Sequence, residues 1–269
     1  MVGSFATALG SLCAGALAGW LQARGYPAID SYRAILGVYA LTGGLLAACF
    51  LGLSPAIEAS VSVPQLSVRR RFGLHRSRHV VLRLSSLFAL DAFAGGLVVQ
   101  TILAYWFHVR FGVEPAVLGR IIFGANLLAG ISALLAARLA GRFGSINTMV
   151  FTHIPSNILL CMVPLMPSLS AAVAVLLLRF SISQMDVPTR QSYTMAVVDP
   201  DERSAASGVT TIARSVGAAF SPALSGLVLA VPGLYGLPFF LAGGLKIVYD
   251  VLLYRGFKAV RPPEETPAR

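Results

Sequence analysis

Asp91, Arg179, Asp186, Arg190, Arg214, Lys246 and Asp250 are ionisable side chains within or at the edge of otherwise apolar runs. A charge at bilayer depth costs about 2.5–3.5 kcal/mol on insertion scales, so such residues mark ion pairs, proton paths or solute sites. Arg179, Ser183, Asp186 and Arg190 recur at helical spacing, which sets all four on one helix face. Asp186 and Arg190, four residues apart, are placed to pair. Arg179 then needs an acid, and Asp91 is the acid its charge selects. At its depth Asp91 suits a proton carrier or the counter-ion of a cationic solute. Arg214 shares a face with Ser207, Thr210, Gly217 and Ser221, a second expected cavity wall. Lys246 and Asp250, at i and i+4, are expected to neutralise each other. Gln100 and Asn126 are amides able to hydrogen-bond a solute.

Metal and redox chemistry find little to work with. His75 and His79 belong to a basic stretch, and His108 and His153 are isolated. Cys13, Cys49 and Cys161 lie in apolar runs without a CxxC pair, as inert buried thiols do. No metal-ligand spacing occurs, so neither metal nor cofactor is expected.

The elements that must carry these residues follow from composition. The chain is 56% hydrophobic and 12% charged, with a mean hydropathy of +0.76. Soluble domains carry about 25% charged residues, so much of this surface faces lipid. Eight apolar segments are long enough to count as spans: 2–21, 33–53, 84–107, 117–137, 146–166, 169–189, 205–231 and 234–254. They lack strand alternation, which points to helices and to an all-α membrane protein rather than a barrel. Segment 2–21 has no Lys or Arg before it, unlike a secretory signal. Residues 54–83 form a basic linker, and the Pro-rich tail 256–269 is expected to be disordered.

The net charge of +10 does not imply nucleic acid, because the arginines cluster between apolar runs. With eight spans, fourteen Lys and Arg fall on the side of the termini and four on the other. That bias predicts cytoplasmic termini. Nineteen arginines against two lysines hint at a GC-rich bacterial genome and hence a bacterial plasma membrane.

The chain also resembles itself. Ala6–Trp20 aligns with Ala213–Leu227, matching Ala6, Gly10, Ala16, Leu17 and Gly19 to Ala213, Gly217, Ala223, Leu224 and Gly226. Leu41-Thr42-Gly43-Gly44-Leu45 matches Leu241-Ala242-Gly243-Gly244-Leu245. The first two spans thus repeat the last two, which makes the repeat unit six spans and leaves the first copy without its leading four. Parallel six-span repeats are one recurrent plan of secondary transporters.

Three stretches make the chain similar to the major facilitator superfamily. Ala137-Arg138-Leu139-Ala140-Gly141-Arg142-Phe143-Gly144 resembles the family's G-x-L-a-D-R-x-G-R-[RK] loop through Leu139, Arg142 and Gly144, with Gly141 in place of the acid. Gly217 to Gly226, through Gly217, Pro222 and Gly226, resembles the G-x-x-x-G-P-x-x-G-G helix of antiporters. Asp186-Val187-Pro188-Thr189-Arg190-Gln191, followed by Asp199 to Arg203, looks like the end of the family's tenth span and its link to the eleventh. The resemblance covers residues 1–255. It implies a partial fold of the family: the last two helices of the N-terminal half (1–53), the linker, and a complete six-helix C-terminal half (84–255). It assigns gating roles to the loop residues and to Arg190, and a helix-packing role to the glycine motif.

The expected function is secondary transport of a small solute by alternating access, with protons as a candidate coupling ion and the bilayer as the constant partner. A second expectation is that the chain alone transports nothing, being either an inactive remnant or a truncated frame whose four leading helices lie on an upstream in-frame stretch. A membrane-embedded enzyme is the third, disfavoured because His, Asp, Glu and Ser are scattered rather than gathered at one bilayer edge.

Overall fold

A computed structural model describes residues 2–54 and 73–259. The described residues form ten α-helices: α1 Val2–Ala23, α2 Ala28–Leu51, α3 Arg78–Gly96, α4 Gln100–Phe111, α5 Pro115–Phe143, α6 Ser145–Met162, α7 Leu169–Phe180, α8 Asp186–Ala196, α9 Arg203–Leu229 and α10 Leu237–Phe257. No strand occurs among them. Most of the basic linker, and the tail from residue 260, lie outside the described residues. The part of the linker that is described ends early, because α3 already begins at Arg78.

Seven helices are long and apolar enough to cross a membrane, with α3 and α4 counted as one span, Arg78–Phe111. The expected eighth, 169–189, is divided between α7 and α8 and contributes only the shorter apolar helix Leu169–Phe180. The cause is Pro188. It has no N–H for the carbonyl of Gln184, and its ring would collide with that carbonyl, but in the first turn of a new helix it is tolerated. The chain therefore restarts at Asp186, and the face expected to run from Arg179 to Arg190 is interrupted at 181–185. The span expected over 84–107 breaks too, at 97–99, where Ser225 Oγ donates to the Leu97 carbonyl at 2.7 Å. Gly112, at φ 64°, ends α4, and Gly144, at φ 84°, is the single residue between α5 and α6.

The helices pair closely where side chains are absent. A Cβ on Gly217 would strike the Ala89 carbonyl, which holds α9 against α3. A Cβ on Gly15 would come within 2.8 Å of the Pro115 carbonyl, and Gly119 makes the reciprocal approach to α1. Such small-residue contacts hold spanning helices together where lipid removes the hydrophobic drive. α6 packs on α10, and α10 on α3. α2 packs on α1 and buries only Ser31.

Two large apolar clusters fill the bundle, and a smaller one of Leu74, Val81, Val198 and Ala206 lies where α3 and α9 begin. Of the large two, one includes Leu97, Trp106, Phe107, Leu160, Leu176 and Phe239. The other includes Leu84, Phe88, Met149, Tyr193, Tyr249 and Leu253. Along α3, α6 and α10 polar residues stand between or beside these clusters: Asp91 on α3; His153, Ser156 and Asn157 on α6; Lys246 on α10 and, between Tyr249 and Leu253 of the second cluster, Asp250. All six are buried. The chain thus lays a polar layer across the middle of an apolar bundle.

Candidate functional site

The polar layer centres on one carboxylate. Asp91, 3% exposed, accepts from Lys246 Nζ at 2.5 Å, Arg190 Nη1 at 2.9 Å and Arg214 Nη1 at 3.2 Å. Arg190 Nη1 also donates to Asp186 Oδ2 at 3.0 Å, one helical turn away on α8. Four helices (α3, α8, α9 and α10) therefore meet at these five side chains. A buried carboxylate persists only when its lost hydration is replaced, and three cationic donors replace it here. The Phe88 ring faces the Arg190 guanidinium at 5.4 Å, a cation–π contact that further compensates for its burial.

A second group adjoins the first. Asp250 shares a hydrogen bond with His153 Nδ1 at 2.8 Å and accepts from Asn157 Nδ2 at 3.2 Å. The expected Lys246–Asp250 pair does not form: Lys246 turns to Asp91 on α3 and Asp250 to α6. The expected Arg179–Asp91 pair does not form either, because Asp91 is filled by the other three cations. Arg179 lies within Coulombic reach of Asp186 and stacks toward Phe180 at 4.9 Å. Its Nε is buried without an acceptor among the described residues, as is Ser183 Oγ in the interruption between α7 and α8.

The remaining candidates sit elsewhere. Gln100 Nε2 donates to Asn126 Oδ1 at 3.0 Å, and Asn126 Nδ2 donates to the Ile122 carbonyl, so the Asn126 amide is engaged at both its oxygen and its nitrogen. Leu139 lines an open cleft of about 390 Å³ with Phe143, Asn147 and Thr148. Arg142 is exposed beside the Phe143 ring, and Gly144 supplies the positive-φ link that the α5–α6 turn requires. The glycine helix splits its duties: Gly217 faces α3, whereas a Cβ at Gly226 would meet nothing within 4 Å.

Sequence reasoning missed three participants. Lys246 is a hub ligand and His153 is not isolated. Glu202 accepts from the backbone N–H of Arg76 and Ser77 at 2.9 Å each, and also contacts His75, while Ser77 Oγ accepts from Asp199 N at 3.1 Å. That cluster ties the entrance of α3 to that of α9. Only the acidic turn Asp199–Glu202 beside a basic stretch could have signalled it.

The pattern of Major Facilitator Superfamily sequences matches residues 1–222. The chain belongs to that superfamily. It is a membrane protein of a transporter family. One relative, an uncharacterized membrane protein of Saccharomyces cerevisiae, is 25% identical over 175 residues, which is 65% of this chain and 39% of the relative. The match thus spans about two fifths of that protein's length. No solved structure matches the chain.

Proposed function

We propose that this superfamily member moves a small solute across the membrane by alternating access, with the Asp91 hub as the element that solute binding and gating share. The observation that supports this is one buried carboxylate held by cations from three other helices. Such a hub costs desolvation and is broken whenever one of the four helices moves, so it couples local charge to helix position. Asp91 would not meet a cationic solute directly, since its oxygens are occupied. A proton-coupled form of this reading uses His153 and Asp250, a buried imidazole and carboxylate that share a hydrogen bond.

The test is a comparison of solute distribution. Cells expressing the chain and cells expressing Asp91→Asn are profiled for small molecules inside and outside, with membrane insertion checked by fractionation. A solute whose distribution shifts with the native chain and not with the variant is the expected result. Equal profiles with equal insertion would remove the hub from the transport path.

A second reading is that the chain transports only together with further helices. It is favoured by α2, which buries a single residue against α1. Reconstitution of the purified chain alone separates the two: uptake into vesicles supports the first, and none, where cells show it, supports the second. The charge bias of the loops supports cytoplasmic termini, and the arginine-rich composition supports a bacterial plasma membrane.

A further inference from the structure

The charges of the hub do not balance. Three cations, Arg190, Arg214 and Lys246, share two carboxylates, Asp91 and Asp186, while a third carboxylate, Asp250, is taken by His153 and Asn157. Each of the three carboxylates is already engaged. Arg214 is where the surplus reaches the surface. Its side chain is 36% exposed, against 11% or less for Lys246, Arg190, Asp186 and Asp91. It spends one nitrogen on Asp91, and a guanidinium carries five N–H donors in a planar fork.

The helix that carries Arg214 shows what lies beside it. Two stripes stand out among the exposed residues of α9. Ile212, Val216, Phe220 and Leu227 make an apolar stripe suited to lipid or a packed partner. Ser204, Ser207, Thr211 and Ser215 make a hydroxyl stripe on another side of the helix. By helical spacing Arg214 falls between that stripe and the inward seam of Thr210, Gly217 and Ser221. A hydroxyl stripe bordered by arginine belongs to a water-lined wall rather than to lipid. A forked cation with free donors, on such a wall, over a layer with surplus positive charge, suits an anion: a carboxylate or phosphate group matches the fork in bidentate geometry.

We infer that the solute taken at this site is a small anion carrying a carboxylate or phosphate, held by Arg214 beside the hydroxyl stripe of α9. The inference rests on the transport reading above, and it reverses the cationic solute that Asp91 suggests from sequence alone.

The test reads the local potential directly. Thr211→Cys is made in the full chain with Cys13, Cys49 and Cys161 replaced by Ala, and reconstituted in zwitterionic vesicles. Its reaction with an anionic thiol reagent, sulfonatoethyl methanethiosulfonate, is compared with that of the cationic trimethylammonium analogue, each rate divided by that on a free thiol. The expected preference for the anion is about tenfold, since charged clefts concentrate counter-ions by that order. Arg214→Gln should abolish the preference and Arg214→Lys should keep it. Inorganic phosphate or succinate should slow the anionic reagent. Equal rates, a cationic preference, or no reaction with either reagent would overturn the site. Vesicles with anionic lipid separate the sources: slowing there without slowing by phosphate or succinate assigns the site to a lipid headgroup and overturns a soluble anion. If the solute found by profiling is a cation or neutral, the inference falls while transport stands. An anion preference without any transported solute supports the site and removes the transport reading.

Discussion

Asp91 receives three cations, and that sets how its neighbours respond to substitution. Removing one partner of a buried ion pair typically costs about 3–5 kcal/mol, because the other charge is left without compensation. Asp91→Asn leaves Lys246, Arg190 and Arg214 facing one another and should lower the thermal midpoint of the detergent-solubilised chain accordingly. Adding Lys246→Met to Asp91→Asn should restore part of the loss. A double-mutant cycle should therefore give Lys246 and Asp91 a coupling of at least about 1 kcal/mol, and Lys246 and Asp250 less than about 0.5 kcal/mol. The reverse order would mean that Lys246 pairs along its own helix. The i,i+4 spacing shows only that two side chains are able to meet. Lys246 has two carboxylates within its range, and the one on α3 wins because Asp250 is engaged by His153 and Asn157. Sequence carries the first fact and not the second, since Asp91 and Lys246 are 155 residues apart.

Among the helices, closeness is governed by where a Cβ is missing. Gly217 and Gly226 lie on one helix and in one motif, yet substitution should separate them. Gly217→Ala drives a methyl into the Ala89 carbonyl and should destabilise by about 1–3 kcal/mol, the usual range for overpacking. Gly226→Ala meets open space and should stabilise the helix by up to about 1 kcal/mol through propensity alone. Thermal unfolding followed by circular dichroism checks both, and equal signs would mean that α9 turns another face to α3. The helices themselves were largely legible: the expected span 117–137 lies within α5, Pro115–Phe143, which begins at a proline in its first turn. Their interruptions were less so. Pro188 is visible in the sequence, but a proline kinks some helices and restarts others, and only the neighbours of residues 181–185 decide which. The break at 97–99 depends on Ser225, more than a hundred residues away.

For the whole molecule, the polar layer between two apolar clusters is the organising feature, and its depth was legible only in part. Asp91 and Lys246 read as charges inside spans. That they share a level with His153, Ser156 and Asn157 required the packing of α3, α6 and α10. The orientation of the layer in the membrane is open to direct measurement. The α7–α8 pair crossing as one unit gives eight passes, with both termini on one side. A reporter that fluoresces only in the cytoplasm should then light when fused after Phe257, and a cysteine introduced at Glu114, between α4 and α5, should react with an impermeant thiol reagent added outside intact cells. Labelling that requires broken cells would invert the topology.

The interruption before Asp186 changes what a moving helix must carry. Asp186 and Arg190 ride on the same short helix, one turn apart, and the turn at 181–185 separates α8 from α7. Any tilt of α8 that parts Arg190 from Asp91 takes the guanidinium away together with its own counter-charge. The cation never travels bare through the low-dielectric interior, so the barrier to separating the hub is set by the cost at Asp91, which Lys246 and Arg214 continue to neutralise. Neither Asp91 nor Asp186 would then be left without a cation, which is what a hub able to open and close requires.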